Sequence, residues 1–288
     1  MKKIKIILLI VLLSCTMSGC LKRDKMEDIN IITTSYPIEY VTNYLYGENS
    51  TITSIYPRGA EIDKYKITKK QLKDFSSNDL FIYNGDSNEC DYAISMLNNN
   101  RNLKIIDASF GVDTLYSKYD LWLNPSNILM IAQNIRNELS EYITNPYLKN
   151  EINDRYQLLK VNISELETEF KKTADNSQNK KIISSDESLK FLEKYGFEVI
   201  NLTEQGKNKE NNITLAKNLL ENNKLNYIFV HENDKNTKLV DSITKEYKKE
   251  TLTFKIIETI DEEDLANNED YLSIMHNNIE QIKKETYK

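Results

Sequence analysis

Two acidic side chains stand in the stretch GAEIDKYKIT, residues 59–68, between an apolar-alternating run and a helix-like segment. They are Glu61 and Asp63, and they follow the tight pair Gly59 and Ala60. In proteins of alternating strands and helices, ligands bind where a strand ends and a helix begins. Shells made of oxygen ligands suit Mg²⁺, Ca²⁺ and Mn²⁺, so carboxylates at this position raise the question of a bound cation.

Nitrogen and sulfur ligands are scarce after the N-terminal twenty residues. The candidates there are His231, His276 and Cys90, and they lie far apart in the sequence. Zinc is ordinarily bound by histidine and cysteine, in closed four-coordinate sites when its role is structural. A zinc site of the ordinary kind is therefore not expected. A single thiol in this part of the chain also predicts no disulfide framework.

The composition is that of a globular protein with a well-solvated surface. Of 288 residues, 40% are hydrophobic and 28% are charged, which leaves ample material for one large domain or two smaller ones. The formal net charge is −6, and no basic stripe runs along the chain. Nucleic acid is therefore not expected as a partner.

The N-terminus predicts export from the cytoplasm. Lys2, Lys3 and Lys5 precede an uninterrupted apolar run at residues 6–13, and small residues then lead to Cys20. The run is too short to cross a hydrocarbon core of about 30 Å, so it predicts a signal peptide and not a membrane span.

The segment MSGC resembles a bacterial lipobox, which predicts cleavage before Cys20 and lipidation of its thiol. Cys15 is the alternative cleavage position. Removing residues 1–19 takes away three lysines and no acid, which changes the net charge to −9. Residues 20–27 are then a polar tether to the cell membrane, on its extracytoplasmic face.

Alternating apolar runs and helical patterns predict an α/β fold of two lobes, each with a mainly parallel sheet flanked by helices. The predicted strands are 29–35, 51–56, 80–85 and 102–107 in the first half, and 181–184, 197–202, 227–230 and 253–258 in the second.

One long rigid helix is expected to link the lobes. From residue 146 to 173 there is no Gly or further Pro, and apolar residues recur at helical spacing. The predicted domains are an N-terminal lobe at 28–144, a linking helix at 145–173 and a C-terminal lobe at 174–288. A shorter helix at 124–143 should begin with Asn124 as its cap and Pro125 in its first turn.

Six segments, in order, resemble the zinc and manganese family of substrate-binding lipoproteins of ABC importers. They are TSYPIEYVTNYLYG, YPRGAEIDKYKIT, DLFIYNG, DLWLNPSNILMIAQNI, SLKFLEKYGFEV and DYLSIMHNNIEQI. The resemblance implies capture of a divalent metal ion between the lobes and its delivery to a permease driven by a separate ATPase. It also implies a monomer whose ligand is Zn²⁺ or Mn²⁺ and which is not an enzyme.

The family's first two histidine positions hold aspartates in this sequence. In the family a histidine closes a Gly-Ala-Glu-Pro-His-type stretch, and the matching residue here is Asp63. The second histidine stands two residues before a tryptophan, so the match to Trp122 implies Asp120. Aspartate in both places favours a harder cation than zinc.

The third and fourth family positions are polar here. The third stands ten residues before the aromatic of a Tyr-Gly pair, which by resemblance is Ser185, with Asp186 and Glu187 beside it. The fourth falls at Thr259, near Glu258 and Asp261.

The residues leave three interpretations of this site open. Asp63, Asp120 and an acid from 186/187 could form an all-oxygen cation site. Alternatively, Lys64 or Lys66 could neutralise the acids, so that the protein binds no metal and acts as a non-metal binding or adhesion lipoprotein. In the third interpretation, His231 joins a transition-metal site.

Motifs of enzymes are missing from the sequence. It contains no G-x-G-x-x-G, no P-loop lysine and no G-x-S-x-G elbow, so no catalytic residue is predicted. Cys90 has no predicted helix N-terminus or basic cluster near it that would activate its thiol.

Overall fold

The computed structural model describes residues 24–115, 120–203, 207–232 and 237–287. The predicted signal peptide and Cys20 lie outside the described residues. Within them, no helix combines the length and the apolar character that crossing a membrane requires.

The N-terminal lobe is a parallel sheet with helices between its strands. Its strands are β1 (Ile29–Thr33), β2 (Ser50–Ser54), β3 (Leu80–Tyr83) and β4 (Lys104–Asp107), in the order β2-β1-β3-β4. Its helices are α1 (Tyr36–Tyr46), α2 (Lys69–Phe75), α3 (Glu89–Asn99) and α4 (Pro125–Tyr142). Every residue of β3 is buried, as expected for an inner strand of a parallel sheet.

The C-terminal lobe repeats this arrangement. Its strands are β5 (Lys181–Ser184), β6 (Glu198–Asn201), β7 (Tyr227–His231) and β8 (Glu250–Phe254), in the order β6-β5-β7-β8. Helices α6 (Lys207–Glu221), α7 (Thr237–Tyr247), α8 (Glu262–Ala266) and α9 (Tyr271–Thr286) accompany them. Short 3₁₀ helices lie at Gly47–Asn49, Leu121–Leu123 and Ser188–Tyr195. Both sheets are parallel, which confirms the predicted fold class.

Helix α5 (Pro146–Asn176) lies between the lobes and has 31 residues, which gives it a length of about 46 Å. It ends three residues after the predicted end. One face is buried at intervals of three and four residues. These positions are Leu148, Ile152, Tyr156, Leu159, Ile163, Leu166 and Phe170. They belong to a hydrophobic core that also contains buried residues of both sheets, so the helix is part of a core shared by the two lobes.

Helix α4 begins as predicted, since the Asn124 side chain accepts a hydrogen bond from the Ser126 amide at 3.3 Å. The prediction of a strand at 253–258 was wrong. Strand β8 ends at Phe254, and the chain then leaves the sheet through Ile257, whose φ of 59° is rare for a β-branched residue.

Helix α3 was not predicted, and its presence corrects the interpretation of Cys90. This cysteine is the second residue of α3 and is exposed, so it does lie near a helix N-terminus.

Candidate functional site

Residues 255–261, which follow β8, cross to the N-terminal lobe, and we call them the crossing segment. The Tyr36 amide donates a hydrogen bond to the Glu258 carbonyl at 3.0 Å. The Gly59 amide donates to the Ile260 carbonyl at 3.1 Å. Tyr36 follows β1 and Gly59 follows β2, so the carboxyl edge of the N-terminal sheet contacts the end of β8.

Side chains add to this contact between the lobes. The Trp122 indole N–H donates to the Ile256 carbonyl at 2.6 Å, and the Tyr271 hydroxyl donates to the Trp122 carbonyl at 2.7 Å. The Thr259 hydroxyl donates to the Ala60 carbonyl at 3.0 Å. The carboxyl edges of the two sheets therefore meet at the crossing segment, where ligands bind in proteins of this class.

Asp120 stands at this junction, directly before the 3₁₀ helix that contains Trp122. Burial first, and then the negative charges of Glu258 and Asp186, raise the pKa of the Asp120 carboxyl to about 8. His231 acts in the opposite direction. Because charges shift one another's pKa only when they are close, these groups from both lobes share one electrostatic site.

Asp186 and His231 form the C-terminal side of the site. In the sheet register Ser184 lies beside Phe229, so Asp186 and His231, two residues further along each strand, lie at the same edge. His231 Nε2 is 2.9 Å from Asp186 Oδ2, and the Asp186 carboxylate also accepts from the Ser188 amide at 2.9 Å. Burial alone would raise the pKa of Asp186, but these hydrogen bonds lower it below its ordinary value.

A cavity of about 300 Å³ adjoins the site beneath the crossing segment, lined in part by Gly59, Glu232 and Glu258. The Glu232 carboxylate accepts from the Ile256 amide at 3.1 Å. Lys255 forms an ion pair with Asp264 in the cavity wall. Of the carboxylates that line this cavity, Glu258 and Glu232 both raise the pKa of Asp120, Glu258 more strongly.

Asp63 is exposed, and it is not one of the groups that shift the pKa of Asp120 most. In the same loop Glu61 forms an ion pair with Lys64, the lysine that was considered as an internal counter-ion. The loop therefore lies at the rim of the site.

Ser185 and Thr259 are near the site but serve local structure. Ser185 is buried beside Asp186, and its amide donates to the Phe229 carbonyl at 2.8 Å. The Thr259 hydroxyl is already bonded to Ala60. Of the residues named from the sequence, the structure brings Asp120 and Asp186 together with His231, which the third interpretation included, and with Glu258, which was noted beside Thr259.

The side chains at the site do not have the geometry of an assembled metal centre. Across residues 24–115, 120–203, 207–232 and 237–287, no three His, Cys, Asp or Glu side chains are placed so that they could hold one ion. His231 and Asp186 instead bond to each other. Any cation held here would have to enter between these two groups.

His231 was named in one of the three interpretations, and the position of His231 and Glu258 at the end of apolar runs is the sequence signal that favours both residues. His231 ends β7. Glu258 was noted only as a neighbour of Thr259, because the strand before it was predicted three to four residues too late.

A sequence profile of the family "ZnuA: Zinc-uptake complex component A periplasmic" matches residues 31–285. This match covers most of the chain. The protein belongs to the ZnuA family. The family consists of components of an uptake complex and not of enzymes, in agreement with the missing catalytic motifs.

Curated relatives of the family include lipoproteins for two metals. The zinc-binding lipoprotein AdcA of Streptococcus pneumoniae R6 is 22% identical over 312 residues, which cover 99% of this chain and 61% of AdcA. This chain therefore spans about three fifths of the length of that relative. The manganese ABC transporter substrate-binding lipoprotein PsaA of Streptococcus pneumoniae is 26% identical over 207 residues, covering 66% of each chain.

Solved structures share the fold. The Zn(II)-bound ZnuA-like domain of Streptococcus pneumoniae AdcA superimposes with a TM-score of 0.75 at 20% identity, covering 91% of this chain and 100% of that one. The laminin-binding protein Lmb of Streptococcus agalactiae, described as having adhesin and metal-transporting activity, gives 0.73 at 18% identity, with coverages of 89% and 99%. The two-lobe architecture is thus that of ZnuA-like proteins.

Proposed function

We propose that this protein captures a divalent metal ion between its lobes and delivers it to the permease of an ABC importer, whose ATPase drives uptake. The observation that supports this most directly is the state of Asp120. In a member of the ZnuA family, three other carboxylates and a histidine act on Asp120 at the junction of the two sheets.

A cation would relieve the repulsion within this cluster. Asp120 is partly buried close to Glu258 and Asp186, and His231 is the cationic group among those that shift its pKa most. Bringing a doubly charged ion among these carboxylates would favour the ionised form of Asp120, which burial and the neighbouring negative charges now oppose. The gain in interaction energy would be the driving force for capture.

The mixed donor set bears on which ion is bound. An imidazole nitrogen suits transition metals, whereas carboxylate oxygens also suit Mn²⁺ and harder ions. Asp120, Asp186, Glu258 and His231 together favour Mn²⁺ or Zn²⁺ over Mg²⁺ and Ca²⁺. The all-oxygen site inferred from the sequence would leave His231 outside, although it lies 2.9 Å from Asp186.

Capture requires rearrangement of side chains. A metal ion would take the place of the proton shared by His231 and Asp186, so these two groups would separate around it. Asp63 would join only if its exposed loop moved inwards, and Ser185 and Thr259 only if they gave up their present surroundings. We therefore base the proposed site on Asp120, Asp186, His231 and Glu258.

The lipid anchor in this proposal is attached to Cys20. It would hold the protein, as a monomer, on the extracytoplasmic face of the membrane. Metabolic labelling with a radioactive fatty acid tests it. Cys20→Ser should abolish labelling, and Cys15→Ser should leave it unchanged. The opposite pattern would move the anchor to Cys15.

Calorimetric titration and native mass spectrometry of the purified protein with Zn²⁺, Mn²⁺, Mg²⁺ and Ca²⁺ test metal capture. We expect one Mn²⁺ or Zn²⁺ per chain. The double variant Asp120→Asn/Asp186→Asn should bind at least about 100-fold more weakly, because it removes two charged ligands.

The matched control for charge is Asp154→Asn/Asp175→Asn, since both of these aspartates are exposed on α5. It should bind as the wild type does. Binding of no ion by the wild type, or equal affinity in the two double variants, would contradict the proposal and favour the adhesion alternative.

A further inference from the structure

Glu89, the first residue of α3, is a fully buried carboxyl group that has no place in the proposed metal site. Only 4% of the residue is exposed. Its Oε2 accepts a hydrogen bond from the Asn84 amide at 2.8 Å, and its Oε1 accepts from the Tyr56 hydroxyl at 3.3 Å. Asn84 follows β3 directly, and Tyr56 lies two residues after β2. The carboxyl group thus joins the exits of two strands.

The exit of a third strand faces the same carboxyl group. Thr34 follows β1, which lies between β2 and β3 in the sheet. Its hydroxyl lowers the pKa of Glu89, although the pair falls short of hydrogen-bond geometry. Glu89 therefore sits where three neighbouring strands end, on the side of the sheet from which the chain continues towards the C-terminal lobe.

Two of these exits lead directly to the contact between the lobes. Two residues after Thr34, the Tyr36 amide donates to the Glu258 carbonyl. Three residues after Tyr56, the Gly59 amide donates to the Ile260 carbonyl. Glu89 is thus hydrogen-bonded or adjacent to the start of two of the segments that hold the crossing segment.

We propose that Glu89 is a positioning residue: by fixing residues 34–36 and 56–60 it sets the place of the crossing segment, and thereby of Glu258, in the cleft. This inference rests on the proposed function, because it assigns Glu89 a part in metal capture. Glu258 also acts on Glu89 electrostatically, which agrees with their lying on opposite sides of the same contact.

A buried carboxyl could also be no more than a core hydrogen-bonding group, so the variants must separate position from stability. Tyr56→Phe removes one hydrogen bond to Glu89 and changes nothing else in shape. Glu89→Gln keeps the shape but leaves one acceptor oxygen where two donors need one each. The matched control is Tyr46→Phe, which removes the 2.5 Å bond from a buried tyrosine to the Met26 carbonyl at the far end of α1.

Amide hydrogen exchange in the purified full-length protein tests the positioning directly. Tyr56→Phe and Glu89→Gln should speed exchange at the Tyr36 and Gly59 amides about tenfold, through local opening of the contact between the lobes. Tyr46→Phe should leave these two amides unchanged. Exchange rates of the Tyr36 and Gly59 amides that are the same in the wild type, Tyr56→Phe and Glu89→Gln would overturn the inference.

Titration with MnCl₂ or ZnCl₂ tests the consequence for capture. Tyr56→Phe and Glu89→Gln should bind the ion about tenfold more weakly than the wild type. Tyr46→Phe should bind it about as tightly as the wild type, even where its melting temperature falls by the same amount. Affinity losses that merely follow melting temperature in all three variants would overturn the role in capture. If the wild type binds neither ion, the proposed function fails, and the exchange result alone decides whether Glu89 positions the crossing segment.

Discussion

Each lobe buries a carboxyl group where its sheet ends, and the two groups differ in their pKa. Burial raises the pKa of Glu89 in the N-terminal lobe to about 7, although the Asn84 amide and the Tyr56 hydroxyl donate to it. In the C-terminal lobe burial also opposes ionisation of Asp186, yet hydrogen bonds from His231 and Ser188 lower its pKa.

The difference teaches what the partners of a buried acid determine. Neutral donors satisfy the oxygens of Glu89 but supply no charge, so the desolvation penalty prevails and the pKa is raised. His231 can carry a positive charge, and this stabilises the ionised form of Asp186. The N-terminal carboxyl is thus suited to hold backbone segments in place, whereas the C-terminal one is suited to hold a cation.

Replacing a core residue of α5 should destabilise both lobes together. Leu159→Ala should cost about 2–5 kcal/mol of the free energy of unfolding, because Leu159 is fully buried in the core that both lobes share. Chemical denaturation measures this loss, and exchange should rise in both lobes together. Leu158→Ala is the neighbouring control, since this leucine is 61% exposed, and it should be nearly neutral. Faster exchange confined to one lobe would show that the core is not shared.

Titration of Glu89 should appear in the pH dependence of stability. Its folded pKa, about 7, lies above its ordinary 4.5, so the folded protein binds more protons than the unfolded chain between these values. Stability should therefore fall as pH rises from about 4.5 to 7, by about 3 kcal/mol from this group. Chemical denaturation at pH 5, 6 and 7 should show this fall in the wild type and a smaller one in Glu89→Gln. Parallel pH profiles would contradict the raised pKa.

Asp186 should show the opposite sign. Because its folded pKa is lowered, its ionisation stabilises the fold above the unfolded value of 3.8, and this stabilisation is lost as pH falls through the lower folded pKa. Asp186→Asn should cost about 1–3 kcal/mol at pH 7 by weakening the bond to His231. The cost should vanish in strongly acidic solution, as measured by urea denaturation at several pH values. A cost that persists there would show that the pair is held by shape and not by charge.

The crossing segment itself should be strained at Ile257. Ile257→Gly should be at least as stable as Ile257→Ala, because glycine adopts a φ of 59° without strain. In alanine this strain costs about 1–2 kcal/mol of the free energy of unfolding. Thermal unfolding compares the two variants. At Ile243, buried within helix α7, the order should reverse, with alanine about 1 kcal/mol more stable than glycine. The same order at both positions would rule out strain at Ile257.

Secondary structure was predictable where the local pattern and the tertiary environment agree. Strand β5 lies where the apolar run 181–184 predicted it, and α5 begins at the predicted proline. The apolar run 253–258 led to a strand prediction that extends too far, because Ile256 and Ile257 do not pack within a sheet. They are buried in the contact between the lobes and not in a sheet. Helix α3 was missed although Asn88, a residue type favoured at N-caps, precedes it; the Asn88 side chain makes no capping hydrogen bond.

The site was predictable only in part. Asp120 and Asp186 were selected through a resemblance to a family, and both lie at the junction. Glu89 was overlooked, because nothing in its neighbours along the chain distinguishes a buried glutamate from the many solvated ones. Its partner Tyr56 is 33 residues away.

By itself the sequence determined the alternation of strands and helices, the long helix between two lobes and an N-terminus typical of a lipoprotein. These features follow from periodicity and from the local preferences of residues. Only the tertiary structure decided that Asp120 meets Asp186, His231 and Glu258 while Asp63 stays at the rim. The physical reason is that charge interactions and desolvation depend on distance and burial in space, which the spacing of residues along the chain does not specify.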